Sequence, residues 1–133
     1  MPPIIAVIIA IALSGSFTLP ENKKVDYSPE ERREQAVIVH LKLADGKFGD
    51  PKERESIIAL GDKLNQIIKK KRVGEYDGHE FGEGFATLYT YGPDANKLFD
   101  AIIETVKERP SRSGSYIIKR FGSPGAKEER RDL

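Results

Sequence analysis

The stretch Val73–Gly92, VGEYDGHEFGEGFATLYTYG, decides the fold. Its second half, Phe85 to Tyr91, is rich in aromatic and β-branched residues, the composition of a pleated, half-buried strand. Its first half is more polar, and Gly82 and Gly84 between them supply the backbone freedom of a tight turn. The stretch therefore predicts a hairpin: strand two over 74–81, a turn at 82–84 and strand three over 85–91.

Helical signals flank the hairpin on both sides. Upstream, Asp50, Pro51 and Glu53 have the spacing of a capped helix start, and Ile57, Leu60, Leu64, Ile67 and Ile68 recur at three and four residues, one apolar stripe running to about Lys71. The cations Lys69 to Arg72 complement the negative end of that helix. Downstream, Gly92 and Pro93 open a second helix with Asp94 in its first turn. Its apolar face is Leu98, Phe99, Ile102, Ile103 and Val106, and RPSRSG ends it. Farther out, AVIVHLKL (36–43) alternates as strand one and SYIIKRF (115–121) forms strand four. The order β-α-β-β-α-β predicts an α+β fold, the ferredoxin-like plait: a four-stranded antiparallel sheet, two helices on one face, strands one and three central, strands two and four at the edges.

At 133 residues the chain holds one domain. Residues 1–27 read as an apolar leader and linker, 28–122 as the domain and 123–133 as a glycine-containing turn and charged tail, with a short added edge strand as the alternative for the tail. The run IIAVIIAIAL (4–13), followed by small residues at Ser14 and Ser16, has the length of a signal segment, although no Lys or Arg precedes it. Such a segment implies an exported or membrane-proximal protein; without that role the protein is cytoplasmic. The run is too short for a transmembrane span, which needs about 20 apolar residues. Ser28, Pro29 and Glu31 predict a short capped helix before strand one.

Hydrophobic residues at 38% and charged residues at 32% exclude a disordered chain, and the absence of Cys excludes disulfides, thiolate metal sites and a cysteine nucleophile. The net charge of +1 says little about partners, but its distribution says more. No Lys or Arg lies between Val73 and Asn96, whereas from Lys107 to Leu133 basic residues outnumber acids eight to four. The acidic segment offers Glu75, Asp77, His79, Glu80 and Glu83 to a partner. On a regular strand Glu75, Asp77 and His79 share a face, a donor set that suits a divalent ion; a solvated edge strand that discourages association explains the same residues, and neither a metal nor another cofactor is assigned.

The rest of the candidate surface follows from alternation. If Val37, Val39 and Leu41 face the helices, Ile38 and His40 face away, and Ala86 and Leu88 likewise send Phe85, Thr87, Tyr89 and Tyr91 to the open side. An exposed aromatic face of this kind marks a partner, here a protein, with burial in a homodimer or under the chain's own tail as the two ways of covering it. EGFATLYT can be laid over the third strand of the RNA-recognition motif at Gly84, Phe85 and Ala86. Glu83, Thr87 and Thr90 depart from that consensus, so nucleic acid is disfavoured as a partner. The P-loop, Gly-x-Ser-x-Gly and His-Glu-x-x-His motifs are all absent.

With VGEYDGHEFGEG, ATLYTYGPDANKLFDAI and FGSPGAKEERRDL in view, the chain resembles a family of small uncharacterised bacterial proteins with the motifs G-E-[YF]-D-G and Y-G-P-D-A-x-x-L-F. The resemblance runs from about Val37 to the end and implies the plait fold, with no activity to carry over. Through the plait and the Y-D-G element the chain is also distantly similar to the ribonuclease E inhibitor proteins, which regulate by binding protein. Two functional readings follow. One is a non-enzymatic binding or regulatory module that presents the acidic edge to a basic protein. The alternative is a small-ligand or metal-dependent enzyme of the dimeric plait type, with His40, Tyr89 and Tyr91 lining its pocket.

Overall fold

Strand β1 (Gln35–Lys42) buries Val37, Val39 and Leu41 and leaves Ile38 and His40 half-buried, the alternation of a strand with one covered face. The computed structural model describes residues 34–133; the leader, the linker and the capped segment at Ser28 lie outside the described residues. Helix α1 (Pro51–Lys71) starts where the Asp50 carboxylate accepts from the Glu53 N–H at 2.9 Å, and it ends at Arg72 with φ 56°. Strands β2 (Glu75–Gly82) and β3 (Phe85–Gly92) form the hairpin. Their two-residue turn places Glu83 at φ 54° and Gly84 at φ 85°, both left-handed, as a turn matched to the strand twist requires.

Helix α2 (Ala95–Glu108) is capped by Asp94, whose side chain accepts from Asn96 N and Lys97 N; Asp94 thus precedes the first turn rather than lying in it. The Ala95 N–H donates to Gln35 Oε1 at 2.8 Å, which joins the start of this helix to the start of β1. Strands β4 (Tyr116–Arg120) and β5 (Glu128–Asp132) complete an antiparallel sheet of order β2-β3-β1-β4-β5.

The core fills the space between one face of this sheet and the helices. Val37, Val39, Ala86, Leu88 and Ile117 from the strands meet Ile57, Leu64, Ile68, Leu98, Ile102 and Val106 from the helices, all at 0% exposure. Side chains that size are each worth about 1.5–3 kcal/mol when removed from water, so this layer dominates stability. Two close approaches depend on glycine. Gly61 on α1 leaves room for the Tyr76 phenol, which a Cβ would meet at 2.3 Å. A Cβ on Gly92 would stand 2.3 Å from the Val73 carbonyl oxygen.

The sheet has five strands, not four, and β4 is not an edge. The segment read as a charged tail folds back through a turn, in which Ala126 N donates to Ser123 O, and pairs with β4 along its whole length. That pairing satisfies backbone groups β4 would otherwise expose. Lys119 fixes it from beneath: its ammonium, on a 5% exposed residue, bonds Asn96 Oδ1 at 2.9 Å and pairs with Glu129 at 3.3 Å, over the Phe99 ring. Arg131 of β5 covers the same ring.

Candidate functional site

The sheet face turned away from the helices is assembled by register alone. Tyr91, Ala36 and Arg120 stand side by side at one end, Tyr89, Ile38 and Ile118 at the next level, and Thr87, His40 and Tyr116 at the third. Phe85 and Lys42 close the far end. β5 adds Glu128, Arg130 and Asp132 beside β4, and β2 adds Glu75 and Glu80 beside β3. The structure thus places His40, Phe85, Tyr89 and Tyr91 on one surface. It also brings in Ile118 and Tyr116, which the sequence reading did not single out although the alternation of YIIKR implies their facing once Ile117 is taken as core.

The rings are in contact. The His40 imidazole stacks on Tyr116 with centroids 4.4 Å apart and planes 18° from parallel, and Phe85 meets both edge-on at 6.4 and 5.9 Å. The Arg130 guanidinium lies 3.8 Å over the far side of Tyr116, and Lys42 Nζ lies 5.3 Å over Phe85. The result is a row of rings with a cation at each end. Burial, and then the Arg130 charge, hold the His40 pKa below its ordinary value; the Glu128 carboxylate opposes them only partly. His40 is therefore a neutral, ring-stacking residue at pH 7.

β2 does not carry its residues as a regular strand would. Tyr76 pairs with Thr90, but His79 pairs with Leu88, so β2 has one residue too many for its partner. This bulge at Asp77 and Gly78, where Gly78 takes φ 96°, reverses the facing of everything after it. The expectation that Glu75, Asp77 and His79 share a face is corrected accordingly. Glu75 and Glu80 lie on the ring-bearing side, while Tyr76, His79 and Phe81 lie on the helix side. There His79 Nδ1 stands 3.5 Å from the Tyr76 hydroxyl, with its ring against Phe81. Glu83 is exposed at the hairpin turn. The five acidic-segment residues are therefore not one patch.

What joins the acidic strand to the rings is Glu80, whose carboxylate accepts a hydrogen bond from the Tyr89 hydroxyl. That bond, with burial second, pushes the Tyr89 pKa up to about 12. The Tyr76 pKa also rises to about 12, there because of burial and then the Asp62 charge.

The chain matches no family model, no curated protein and no solved structure. Its chemistry is therefore read from its own side chains. Among the described residues no group of three or more His, Asp or Glu side chains is placed to hold a metal ion. A cavity of about 250 Å³ lies on the opposite side of the molecule, between the helices, lined by Ser56, Lys63, Thr105 and Arg109 among others, and it includes none of the candidate partner-binding or open-face residues named from sequence. Among the described residues no helix is long and apolar enough to cross a membrane.

Proposed function

We propose that this protein is a non-enzymatic binding or regulatory module whose recognition surface for a protein partner is the sheet face away from the helices, with its acidic β2 border. One observation carries this reading: His40, Phe85, Tyr89, Tyr91 and Tyr116, with Ile38 and Ile118, form a continuous half-buried patch on that face. Rings with polar handles are what protein interfaces use as anchors, because they contribute large contact area at a small entropy cost and remain soluble when uncovered. Glu75 and Glu80 border the patch on strands without a single Lys or Arg, which favours a basic partner surface and orients it.

The order β1-α1-β2-β3-α2-β4 and the sheet order β2-β3-β1-β4 support assignment as a ferredoxin-like plait with β5 appended, the fold implied by the likeness to the small bacterial proteins with the G-E-[YF]-D-G and Y-G-P-D-A-x-x-L-F motifs. Stacked base recognition is disfavoured, because both sides of the Tyr116 ring are already taken by His40 and Arg130 and carboxylates edge the patch.

The test is affinity capture by the full chain from nuclease-treated lysate of the host, beside a Glu75→Lys, Glu80→Lys chain, with elution by rising salt. A basic protein held by the first and absent from the second is expected. Identical captures by both baits would refute the acidic border as part of a recognition surface.

A further inference from the structure

Going beyond the recognition face, and without resting on it, we infer that the cavity between α1 and α2 is a binding site for a small monocarboxylate, a single carboxylate group on a short apolar body. α1 lines the cavity with Ser56, Leu60 and Lys63, spaced four and three residues apart on one side of the helix, and α2 with Thr105 and Glu108, followed by Arg109 at its C-cap. Three observations select this ligand.

The first is a buried polar group with nothing to bond. Thr105 is only 8% exposed, and among the described residues its hydroxyl has no hydrogen-bond partner. A helical threonine commonly satisfies its hydroxyl on the carbonyl one turn back, whereas Thr105 lines the cavity. A buried hydroxyl left unpaired costs stability, and an atom held in the cavity removes that cost.

The second is a guanidinium with donors to spare. Arg109 donates from Nε to Ser56 Oγ at 2.9 Å and from Nη1 to the Pro110 carbonyl at 3.4 Å, which uses two of the five N–H groups an arginine carries. Glu53, the carboxylate whose charge reaches it, is committed to Arg112 at 3.1 Å. Burial lowers the Arg109 pKa from its ordinary value, with the Glu53 charge opposing and the Arg112 charge adding to the shift. Arg109 is still a cation at neutral pH, and an anion in the cavity would offset its burial. A carboxylate matches the planar fork of an arginine with two parallel bonds. Ser56 accepts from Arg109, so its own O–H remains to donate to that carboxylate.

The third is the balance of charge and size. Lys63 Nζ and Glu108 Oε1 stand 4.0 Å apart, both exposed, a loose pair whose charges cancel. Arg109 then leaves the lining with one net positive charge, which suits a monoanion better than a doubly charged phosphate and repels a cation. A volume of about 250 Å³ corresponds to about eight water molecules of liquid, below the roughly 300–1,000 Å³ of pockets for larger ligands. The buried Leu60 and its neighbour Ala59 supply an apolar part of the lining for a short hydrocarbon body.

The experiment is an NMR titration of the full chain with hexanoate, with hexylammonium and inorganic phosphate as separate arms at matched ionic strength. Hexanoate is expected to move the Ser56 and Thr105 amide signals and the Arg109 Nε–H signal saturably, with a Kd of about 1 mM or tighter. Hexylammonium should leave them in place, and phosphate should bind about tenfold or more weakly than hexanoate. Arg109→Gln should weaken hexanoate about tenfold or more. Thr105→Val keeps the side chain's shape and deprives no partner, so it should weaken hexanoate about threefold or more while its urea midpoint stays at or above that of the wild type. That variant separates loss of the site from loss of the fold. No saturable movement with hexanoate overturns the proposal, as does an affinity unchanged in both variants or an equal response to hexylammonium. Phosphate bound as tightly as hexanoate overturns the monocarboxylate class. A lowered urea midpoint for Thr105→Val would show its hydroxyl satisfied within the fold and overturn the proposal as well. All of these outcomes leave the sheet face to its own capture experiment, so the two readings fail separately.

Discussion

The two faces of the sheet are made by alternate residues of the same strands, yet they behave as different materials. Toward the helices stand Val37, Val39, Leu41, Ala86, Leu88 and Ile117, aliphatic or small and at 0 to 1% exposure. Away from them stand His40, Phe85, Tyr89, Tyr91 and Tyr116, aromatic, half-buried and bordered by charge. Branched aliphatic side chains fill a closed layer in few rotamers and have no polar group to satisfy, so they make a permanent core. Tyrosine and histidine keep one edge wet, so they tolerate both the free and the covered state. One face is closed by the helices, and the other is left half-buried and open to solvent.

That contrast breaks most sharply at adjacent residues. Leu88→Ala is expected to cost about 2–5 kcal/mol, because it opens a cavity in the closed layer. Tyr89→Ala, one residue along on the other face, should cost under about 1 kcal/mol. Urea unfolding of dilute protein measures both, and equal losses would erase the distinction between the faces. Lys119→Ala probes how β5 is held to β4 from the helix side. Removing the buried ammonium strands Asn96 Oδ1 and Glu129 and should cost about 1–3 kcal/mol, with amide exchange accelerated in β5 before the other strands.

A smaller change, and in the other direction, is expected at Glu83, which holds a left-handed φ of 54° where asparagine is better suited. Glu83→Asn should stabilise by roughly 0.5–1 kcal/mol, read as a higher urea midpoint at unchanged slope. The smallest effect on neutral-pH stability is that of Glu80→Ala, which sharpens the comparison spectroscopically. In the wild type two phenols, Tyr76 and Tyr89, should ionise near 12 in an ultraviolet pH titration. Only Tyr89 should fall back in the variant. Because the fold favours the neutral phenol, its contribution is intact below the ordinary tyrosine pKa of about 10 and is lost as pH rises through the folded value. A variant with both phenols unmoved would refute the Glu80–Tyr89 bond.

Much of this architecture was legible in the residues themselves. Alternation in AVIVHLKL and FATLYTY assigned both faces of the central strands, and the three- and four-residue spacing in α1 and α2 found the helices that cover one of them. Ile67 and Ile103 lie at the margins of those apolar stripes, only half-buried. What escaped has definite causes. EYDGHEF reads as a regular strand, but the Asp-Gly step absorbs an extra residue and reverses the strand's later half, a change of pairing that no periodicity encodes. EERRD has no apolar period at all, since β5 is held by backbone pairing to β4 and by Lys119 and Phe99, partners distant in sequence. With β5 foreseen only as an alternative for the tail, without bounds or register, Arg130 could not be seen over Tyr116, and the charge asymmetry across the face was visible only as an acidic segment and a basic end.

The central claim is that the ring-bearing face is a surface to be covered, and paramagnetic broadening of the full chain's side-chain NMR signals by a soluble probe tests it most directly. On addition of the basic protein that the chain captures, Tyr89, Tyr116 and Ile118 should become shielded from the probe, while the exposed helix residue Ile58 stays broadened throughout. Equal broadening of all four with and without that protein would contradict the proposal that this face is a recognition surface.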